Sequence, residues 1–412
     1  MRYQLQPYNR KTDKECPPIP ELTDGFFQEP EAPADGMVPM SICTDPLPAG
    51  TYALHISMKA LQDTDQVFLF TGRKQLRDVI SLKQGEQYKR TFYLSLAEIL
   101  PRNYTEIHPV SRLFFTYCTK SPENVVLEPE ACYGESTPAI PTVFLCGDST
   151  VTDQSGEIPY HPGACYASWG QALPAFLQTS VAVENQAHSG LTTETFRSEG
   201  HFTIVEKYIR PHDLCLFQFG HNDQKLPYLQ ANREYPENLR RFAEEIRRKK
   251  GIPILVTPLG RNIWNGDRTY NDLLKDHSQA VKDLAAEIGT PLIDLHDFSV
   301  RFLTEHGMEE SSGYFHPGDY THTNEYGAYL FASFIARELH RLHPEVVSSI
   351  RPSLSFLPPA HLWDSLNRTQ NRISDSTQKE QFDSMEKTTE VLLEALRAAK
   401  AGESENNHKN LN

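Results

Sequence analysis

The chain of 412 residues lacks any apolar run of the length needed to cross a membrane, which is about 20 consecutive residues. Its first twenty residues are polar, charged and rich in proline, so they also lack the apolar core of a secretory signal. The sequence therefore predicts neither a membrane-spanning segment nor an export signal. We expect a cytoplasmic protein that does not bind membranes.

Positive charge is also scarce. Lysine and arginine number 40 against 54 aspartate and glutamate residues, which gives a formal net charge of -14. A surface with this excess of negative charge repels phosphate backbones and anionic lipids, which argues against nucleic-acid partners. Carbohydrates and small esters remain open as substrates.

Cysteine is present in an odd number, seven, and no two cysteines are spaced as CxxC. The pattern predicts neither a disulfide framework nor a zinc site. Cys146 and Cys215 lie in apolar runs that look like strands, where a free thiol packs as a small hydrophobic group. We expect neither a metal nor any other cofactor.

The texture of the chain divides it into three parts: an N-terminal strand region (1–138), a β-α region (139–345) and a C-terminal extension (346–412). The length itself favours more than one domain. In the first part, the alternation of apolar residues from Tyr52 to Met58 and the β-rich runs 67–70, 91–96 and 113–118 predict a small antiparallel β-sandwich. In the extension, the spacing of apolar residues predicts one helix over 378–400, followed by a disordered end.

The β-α region alternates short apolar runs with longer amphipathic stretches. The predicted strands cover 142–146, 180–185, 214–219, 252–257 and 291–295. The clearest predicted helices cover 236–250, 270–288 and 325–342. Five such repeats predict a parallel sheet covered by helices on both faces.

Four motifs carry the residue types of ester chemistry. They are GDSTVTD (147–153), NQAHSGLTT (185–193), FGHND (219–223) and PGDYTHTNEYGA (317–328). The first three begin where an apolar run ends, and reactive groups in such sheets gather at the carboxyl ends of the strands. Each motif also has an ordinary structural explanation when taken alone: a helix-capping serine, a turn glycine, a turn asparagine, and a helix cap beside a surface histidine.

The chemistry follows from the spacing within these motifs. A serine at a strand-to-helix turn, such as Ser149, exposes its hydroxyl. Asp319 and His322 are three residues apart, so the carboxylate can accept from Nδ1–H while Nε2 faces a nucleophile. The backbone N–H of Gly190 and the side-chain amide of Asn222 can donate hydrogen bonds to a developing oxyanion.

Together and in this order, the motifs resemble the sequence blocks of the SGNH (GDSL-type) hydrolases. The stretches GDSTVTDQ, FGHNDQK and GDYTHTNEYGA look most like the rhamnogalacturonan acetylesterase branch, and the resemblance covers residues 142–342. It implies a three-layer α/β/α, flavodoxin-like fold with a five-stranded parallel sheet. It also implies these roles: Ser149 as nucleophile, His322 as base, Asp319 as the partner of the base, and Ser149, Gly190 and Asn222 as oxyanion donors.

The same resemblance implies an esterase that removes acetyl groups from pectic, rhamnogalacturonan-type oligosaccharides through an acyl-enzyme. Aromatic faces suit sugar rings and arginine suits uronate carboxylates. On that basis the candidate sugar-binding residues are Trp169, His188, Arg197, Arg261 and Trp264. Packing within its helix is the alternative role of Trp169. The N-terminal strand region is expected either to bind carbohydrate or to serve as a structural lid, and the C-terminal helix leaves a homo-oligomer open.

Three alternatives remain at this point. GHND also resembles the Asn-His-Asp clusters of metal-dependent phosphoesterases, although the order of the motifs is wrong for them. Its possible ligands are Asp148, Asp223, Asp294, His296, His316 and His322. The second alternative is a non-catalytic sugar-binding protein on the same scaffold. The third is an esterase that acts on acetylated xylan, other sugar esters or lipids.

Overall fold

A computed structural model describes residues 1–9, 19–28 and 35–351 of the chain. Cys16 and the helix predicted over 378–400 lie outside these described residues. Within them, no helix combines the length and apolar character that crossing a membrane requires.

The N-terminal strand region is built from twelve strands within its described residues. They are β1 (Arg2–Pro7), β2 (Phe26–Gln28), β3 (Val38–Thr44), β4 (Gly50–Ala60), β5 (Thr64–Thr71), β6 (Gln75–Leu82), β7 (Gln87–Leu96), β8 (Glu98–Ile99), β9 (His108–Pro109), β10 (Phe114–Thr119), β11 (Val125–Leu127) and β12 (Tyr133–Ser136). All except β2, β8 and β9 form an antiparallel sheet of nine strands, in the order β11-β4-β12-β1-β3-β10-β5-β6, with β7 also paired to β4. The four predicted strand runs overlap β4, β5, β7 and β10.

Strand β1 joins two halves of this sheet, because its first residues pair with β12 and its last residues pair with β3. Side chains from both halves meet in one buried cluster. Leu54 and Ile56 of β4 reach it from one half, and Leu69 and Phe115 reach it from the other. Since neighbouring residues of a strand face opposite sides of the sheet, Phe68 is left to pack elsewhere.

The β-α region contributes six strands and seven α-helices within the described residues. The strands are β13 (Thr142–Gly147), β14 (Gly156–Ile158), β15 (Ala182–Asn185), β16 (Leu214–Gln218), β17 (Ile252–Val256) and β18 (Leu292–Ile293). The helices are α1 (Trp169–Ala172), α2 (Thr195–Ser198), α3 (His201–Tyr208), α4 (Glu234–Arg248), α5 (Lys275–Ile288), α6 (Leu295–Ser312) and α7 (Glu325–Leu342).

Five of these strands form a parallel sheet in the order β15-β13-β16-β17-β18. The predicted parallel sheet is therefore confirmed, and each of its strands overlaps a predicted apolar run. The predicted helices correspond to α4, α5 and α7. Helix α6 was not predicted. Gly307 within it has a positive φ of 76°, so a kink divides α6 into two helical segments.

Alternation along strand β13 shows how the layers are arranged. Val143 and Leu145 of β13 face a buried cluster that includes residues of α7, whereas Phe144 and Cys146 face a second cluster that includes residues of α3, α4 and α5. Helices thus cover both faces of the sheet.

The two regions share a buried core. Phe68 and Phe70 on the outer face of β5 pack with Phe26 of β2 around Tyr160, with ring centroids 5.4–5.9 Å apart. Strand β2 also pairs in parallel with β14 of the β-α region. The N-terminal strands are therefore packed onto the β-α region along an apolar face.

Candidate active site

Ser149 lies two residues beyond the end of β13, at the point where the strand order reverses. From β13 the chain passes to β15 on one side and then to β16 on the other, and the loops of such a switch point form a crevice at the carboxyl ends of the strands. The Ser149 hydroxyl is 2.7 Å from Nε2 of His322. This is a hydrogen-bond distance, of the kind that a serine nucleophile and its base require.

Asp319 orients the imidazole from its other side. Its Oδ2 lies 2.8 Å from Nδ1 of His322, and its Oδ1 accepts from the backbone N–H of Thr321 at 2.7 Å and of His322 at 2.9 Å. Burial would raise the pKa of Asp319, but the hydrogen bonds and charge of His322 outweigh it and lower the pKa to about 2. The ionised carboxylate can only accept, so Nδ1 carries a proton and Nε2 is free to accept from Ser149.

The loop that carries Asp319 and His322 is fixed at both ends. Phe315 and Thr323 form a β-bridge, and the N–H of His316 donates to the carbonyl of His322 at 2.9 Å. Directly afterwards, the side chain of Asn324 caps α7 by accepting from the backbone of the first turn. His322 is therefore held between a closed loop and a capped helix.

Three hydrogen-bond donors follow neighbouring strands at the same edge of the sheet: the N–H groups of Ser149 and Gly190 and the amide of Asn222. No acceptor for either backbone N–H is found among residues 1–9, 19–28 and 35–351. Gly190 has a left-handed backbone (φ 90°) with open space where a side chain would be. The amide of Asn222 is oriented by Leu191, whose carbonyl accepts one N–H at 3.0 Å, which leaves the second N–H available to a ligand.

Comparison with known proteins assigns the chain to a family. Residues 145–328 match the model of the GDSL-like lipase/acylhydrolase family. A rhamnogalacturonan acetylesterase, RhgT of Bacillus subtilis, is 33% identical over 213 residues, covering 48% of this chain and 90% of its own length. The chain belongs to the GDSL-like lipase/acylhydrolase family. It is an esterase that acts on carboxylic ester bonds.

Other relatives agree with this assignment. A probable rhamnogalacturonan acetylesterase, YesY of Bacillus subtilis, is 32% identical over 216 residues, covering 50% of this chain and 96% of its own length. The predicted resemblance to this branch is thereby confirmed. Among solved structures, protein YXIM of Bacillus subtilis is 24% identical with a TM-score of 0.48, covering 74% of this chain and 80% of the other.

A buried network of polar groups connects the loops that carry these motifs. Asp148 is completely buried and accepts from the N–H and the hydroxyl of Thr150 at 2.9 and 2.7 Å. Its other oxygen lies 3.3 Å from Nδ1 of His221, whose Nε2 lies 2.9 Å from the carbonyl of Leu259. This network ties the loop after β13 to the loop after β16. Asp148 and His221 belong to the motifs GDSTVTD and FGHND, but the spacing of these motifs in the sequence does not show that the two side chains are in contact.

An aromatic pair beside His322 was not predicted from the sequence. Tyr166 stacks on His316 with ring centroids 3.5 Å apart, and its edge meets His322 at 5.8 Å and 89°. Burial raises the pKa of Tyr166 to about 12, so its hydroxyl stays protonated and donates weakly to Asp319 at 3.5 Å. Tyr166 lies in a loop without periodicity or motif, and no sequence signal identifies it.

Two of the predicted sugar-binding residues are corrected by the structure. Trp169 is only 1% exposed and donates from Nε1 to Gln218 at 2.7 Å, so it packs inside the domain and cannot stack on a sugar. Arg261 is 7% exposed, and its guanidinium donates to the hydroxyl of Thr321 at 2.5 Å and to the carbonyl of His221 at 2.9 Å. Arg261 therefore holds two active-site loops together and is not available to a uronate.

The other three candidates have different surroundings. Arg197 pairs with Glu245 at 3.0 Å and covers the ring of Phe202 on the outer helices, so it is engaged in packing. Trp264 is half-buried and donates to Asn262. His188 lines a cleft between the N-terminal strand region and the β-α region. A role in sugar binding stays a prediction for Arg197, Trp264 and His188.

The ligands named for a metal-dependent phosphoesterase are not brought together. His322 contacts Ser149 and Asp319, whereas His296 contacts Asp272 at 2.9 Å, outside the triad. Among the described residues, no group of three or more His, Cys, Asp or Glu side chains is arranged to hold a metal ion.

Proposed function

We propose that the protein is a carbohydrate acetylesterase that uses Ser149, His322 and Asp319 as its catalytic triad. The contact that carries this proposal is the distance of 2.7 Å between the Ser149 hydroxyl and Nε2 of His322. The names of the relatives, one a rhamnogalacturonan acetylesterase and one a probable rhamnogalacturonan acetylesterase, support acetylated carbohydrate as the substrate class.

In this mechanism His322 removes the proton of Ser149 as the oxygen attacks the acetyl carbonyl. The tetrahedral oxyanion accepts hydrogen bonds from the N–H groups of Ser149 and Gly190 and from the amide of Asn222. Collapse of the intermediate expels the sugar hydroxyl, which takes the proton back from His322. Water, deprotonated by the same imidazole, then hydrolyses the acetyl-serine and regenerates the enzyme.

We further propose that the chain is organised as a β-sandwich module (1–138), a hydrolase domain (139–345) and a C-terminal extension (346–412). The single buried cluster between the two halves of the N-terminal sheet supports a sandwich. The cleft between the module and the hydrolase domain, lined by Arg102 on one side and His188 and Ser189 on the other, supports a module that shapes the sugar site. Ser189 precedes the proposed oxyanion donor Gly190, so this cleft adjoins the reaction centre.

Among carbohydrate esters, we propose acetylated rhamnogalacturonan-type oligosaccharides as the substrate. The test is acetate release from a panel of acetylated pectic and xylan oligosaccharides by wild type and by Ser149→Ala. Serine-dependent release confined to pectic substrates is the expected result. Equal or greater release from xylan would contradict the pectic assignment and leave the mechanism in place. No release from any ester would favour a sugar-binding protein without catalysis.

Asn222→Ala is expected to lower kcat by about 10²- to 10³-fold, because it removes one donor to an oxyanion that exists only in the transition state. KM should change little, since the ground-state ester makes a weaker hydrogen bond to this amide. Steady-state kinetics on a soluble acetate ester measure both constants. Asn265→Ala, which alters an exposed amide that contacts Thr269, is the control. An effect of Asn222→Ala confined to KM would remove it from the oxyanion site.

A further inference from the structure

The turn between β5 and β6 inserts two basic residues of the N-terminal strand region into the β-α region. Lys74 is 1% exposed and has a left-handed backbone (φ 55°), a conformation that side-chain-bearing residues rarely adopt. Such strain persists where the surroundings enforce it, and it often marks a functional position. A buried ammonium in a strained turn therefore needs an explanation beyond linking two strands.

The ammonium of Lys74 ends beside three acceptors of the β-α region. It lies 3.2 Å from the carbonyl of Tyr166, 3.5 Å from the carbonyl of Ser155 and 3.8 Å from the carboxylate of Glu325. Its aliphatic stem crosses Gly156, where a Cβ atom would stand 2.6 Å from Cδ of Lys74. Because Gly156 has no side chain, the stem of Lys74 has room to pass and to reach these acceptors.

The neighbouring residue, Arg73, contacts two of the motif segments. Its Nε lies 3.1 Å from the buried carboxylate of Asp153, and its guanidinium donates to the carbonyl of Asn185 at 2.6 Å. Asp153 ends the segment that begins at Gly147 and contains Ser149, and Asn185 begins the segment that contains Gly190. One turn therefore contacts the segments of the proposed nucleophile and of an oxyanion donor.

Two of the residues that Lys74 contacts, Tyr166 and Glu325, lie close to the proposed base His322 in space or in sequence. Tyr166, whose carbonyl it contacts, places its ring edge against His322. The following residue, Ala167, exchanges hydrogen bonds with Thr323: its N–H donates to the Thr323 carbonyl at 3.0 Å, and its carbonyl accepts from the Thr323 hydroxyl at 2.6 Å. Glu325, the other partner, is the first residue of α7 and lies three residues after His322.

We propose that this Arg73–Lys74 turn is a positioning element of the active site, and that Lys74 is a positioning residue that sets the His322 loop through Tyr166 and Glu325. The inference rests on the proposed function of His322 as base. It makes the N-terminal strand region a part of the catalytic apparatus, in addition to any role in sugar binding. Lys74 fixes the position of the His322 loop and does not itself contact the substrate.

The test compares Lys74→Met with the double variant Lys74→Met/Glu325→Gln on p-nitrophenyl acetate, together with thermal unfolding. The single variant leaves the Glu325 carboxylate buried without its cation and is expected to lose stability and kcat together. The double variant removes both charges and should recover stability. Its kcat is expected to stay about 10- to 100-fold below wild type with KM little changed, because small misplacements of catalytic groups cost factors of this size. Recovery of wild-type kcat along with stability would overturn the proposal.

The matched control is the pair formed by Arg351 of the C-terminal extension and Asp78 of the N-terminal strand region, at 2.6 and 2.9 Å. The backbone N–H of Arg351 donates to the carbonyl of Phe176 in the β-α region at 2.8 Å, so the pair also holds the N-terminal strands against that region, but it contacts neither Tyr166 nor the His322 loop. Arg351→Met/Asp78→Asn is expected to lower the melting temperature and to keep wild-type kcat. An equal loss of kcat in this variant would mean that any weakening of the interface has the same effect, and would overturn a specific role of Lys74.

Gly156→Ala provides a second variant that keeps both charges. Its Cβ displaces the lysine stem and also the ring of Phe26, which lies 2.8 Å from the same position. It is expected to lower kcat in the same range, and a folded variant with wild-type kcat would contradict the proposal. Lys74→Arg, which keeps a cation, is expected to fall between wild type and Lys74→Met. Inactive wild type would count against the proposed esterase function, whereas active wild type with unaffected variants would count against the positioning role alone.

Discussion

Ser149→Ala is expected to lower kcat on acetate esters by about 10⁴- to 10⁶-fold while leaving the protein folded, since losses of that order follow removal of the nucleophile from a serine hydrolase. The Ser149 hydroxyl makes one side-chain contact in the site, with His322, so its removal leaves no buried group without a partner. Initial rates and the circular dichroism melting curve measure the two parts of this prediction.

Ser312→Ala is the control for this experiment. Ser312 is the last residue of α6, its hydroxyl donates to the carbonyl of Glu309 at 2.6 Å, and it contacts no member of the triad. Its variant should keep a rate near that of wild type. A substantial residual rate in Ser149→Ala, with contaminating esterases excluded, would remove Ser149 from the role of nucleophile.

Asp319→Asn is expected to lower kcat/KM by about 10⁴-fold, a loss typical of triads in which the carboxylate becomes an amide. The amide oxygen can still accept from the N–H groups of Thr321 and His322, so the loop should keep its shape. The amide nitrogen, however, would donate to Nδ1 of His322. That reversal places the imidazole proton on Nε2, where it faces Ser149 and cannot accept its proton.

The chain offers a matched control in Asp272, whose Oδ1 lies 2.9 Å from Nε2 of His296 outside the triad. Asp272→Asn makes the same chemical change to an Asp–His pair and should leave kcat/KM near the wild-type value. Because the pKa of Asp319 is lowered to about 2, the carboxylate is ionised throughout the working pH range, and the comparison can be made at neutral pH. A rate for Asp319→Asn near wild type would contradict its role.

The parallel sheet could be predicted from sequence because its physical cause is local. Strands that are buried on both faces read as apolar runs, and β13, β16 and β17 each begin at a predicted residue. The relative position of Ser149, Gly190 and Asn222 could also be predicted, since parallel strands bring their carboxyl ends to one edge. The remaining residues of the proposed site, Asp319 and His322, could be proposed from the order of the four motifs.

The surroundings of the site could not be predicted, because they depend on which side chains the fold buries. Trp169 has a residue type that suits a sugar site, and only its burial against Gln218 shows its packing role. Tyr166 comes from a loop without pattern and is placed beside His322 by tertiary contacts. Lys74 lies 75 residues before Ser149 in another region of the chain, and no local rule connects a hairpin turn with a distant helix end.

The most direct test of the central claim is to find the acetyl group on the enzyme during turnover. Wild type is mixed with an acetylated pectic oligosaccharide and quenched in acid before the substrate is consumed, and the digested protein is analysed by mass spectrometry. The account predicts an acetylated peptide whose modification maps to Ser149 and disappears once the substrate is exhausted. A stable, unmodified Ser149 during rapid acetate release, or an acetyl group that turns over on another residue, would contradict it.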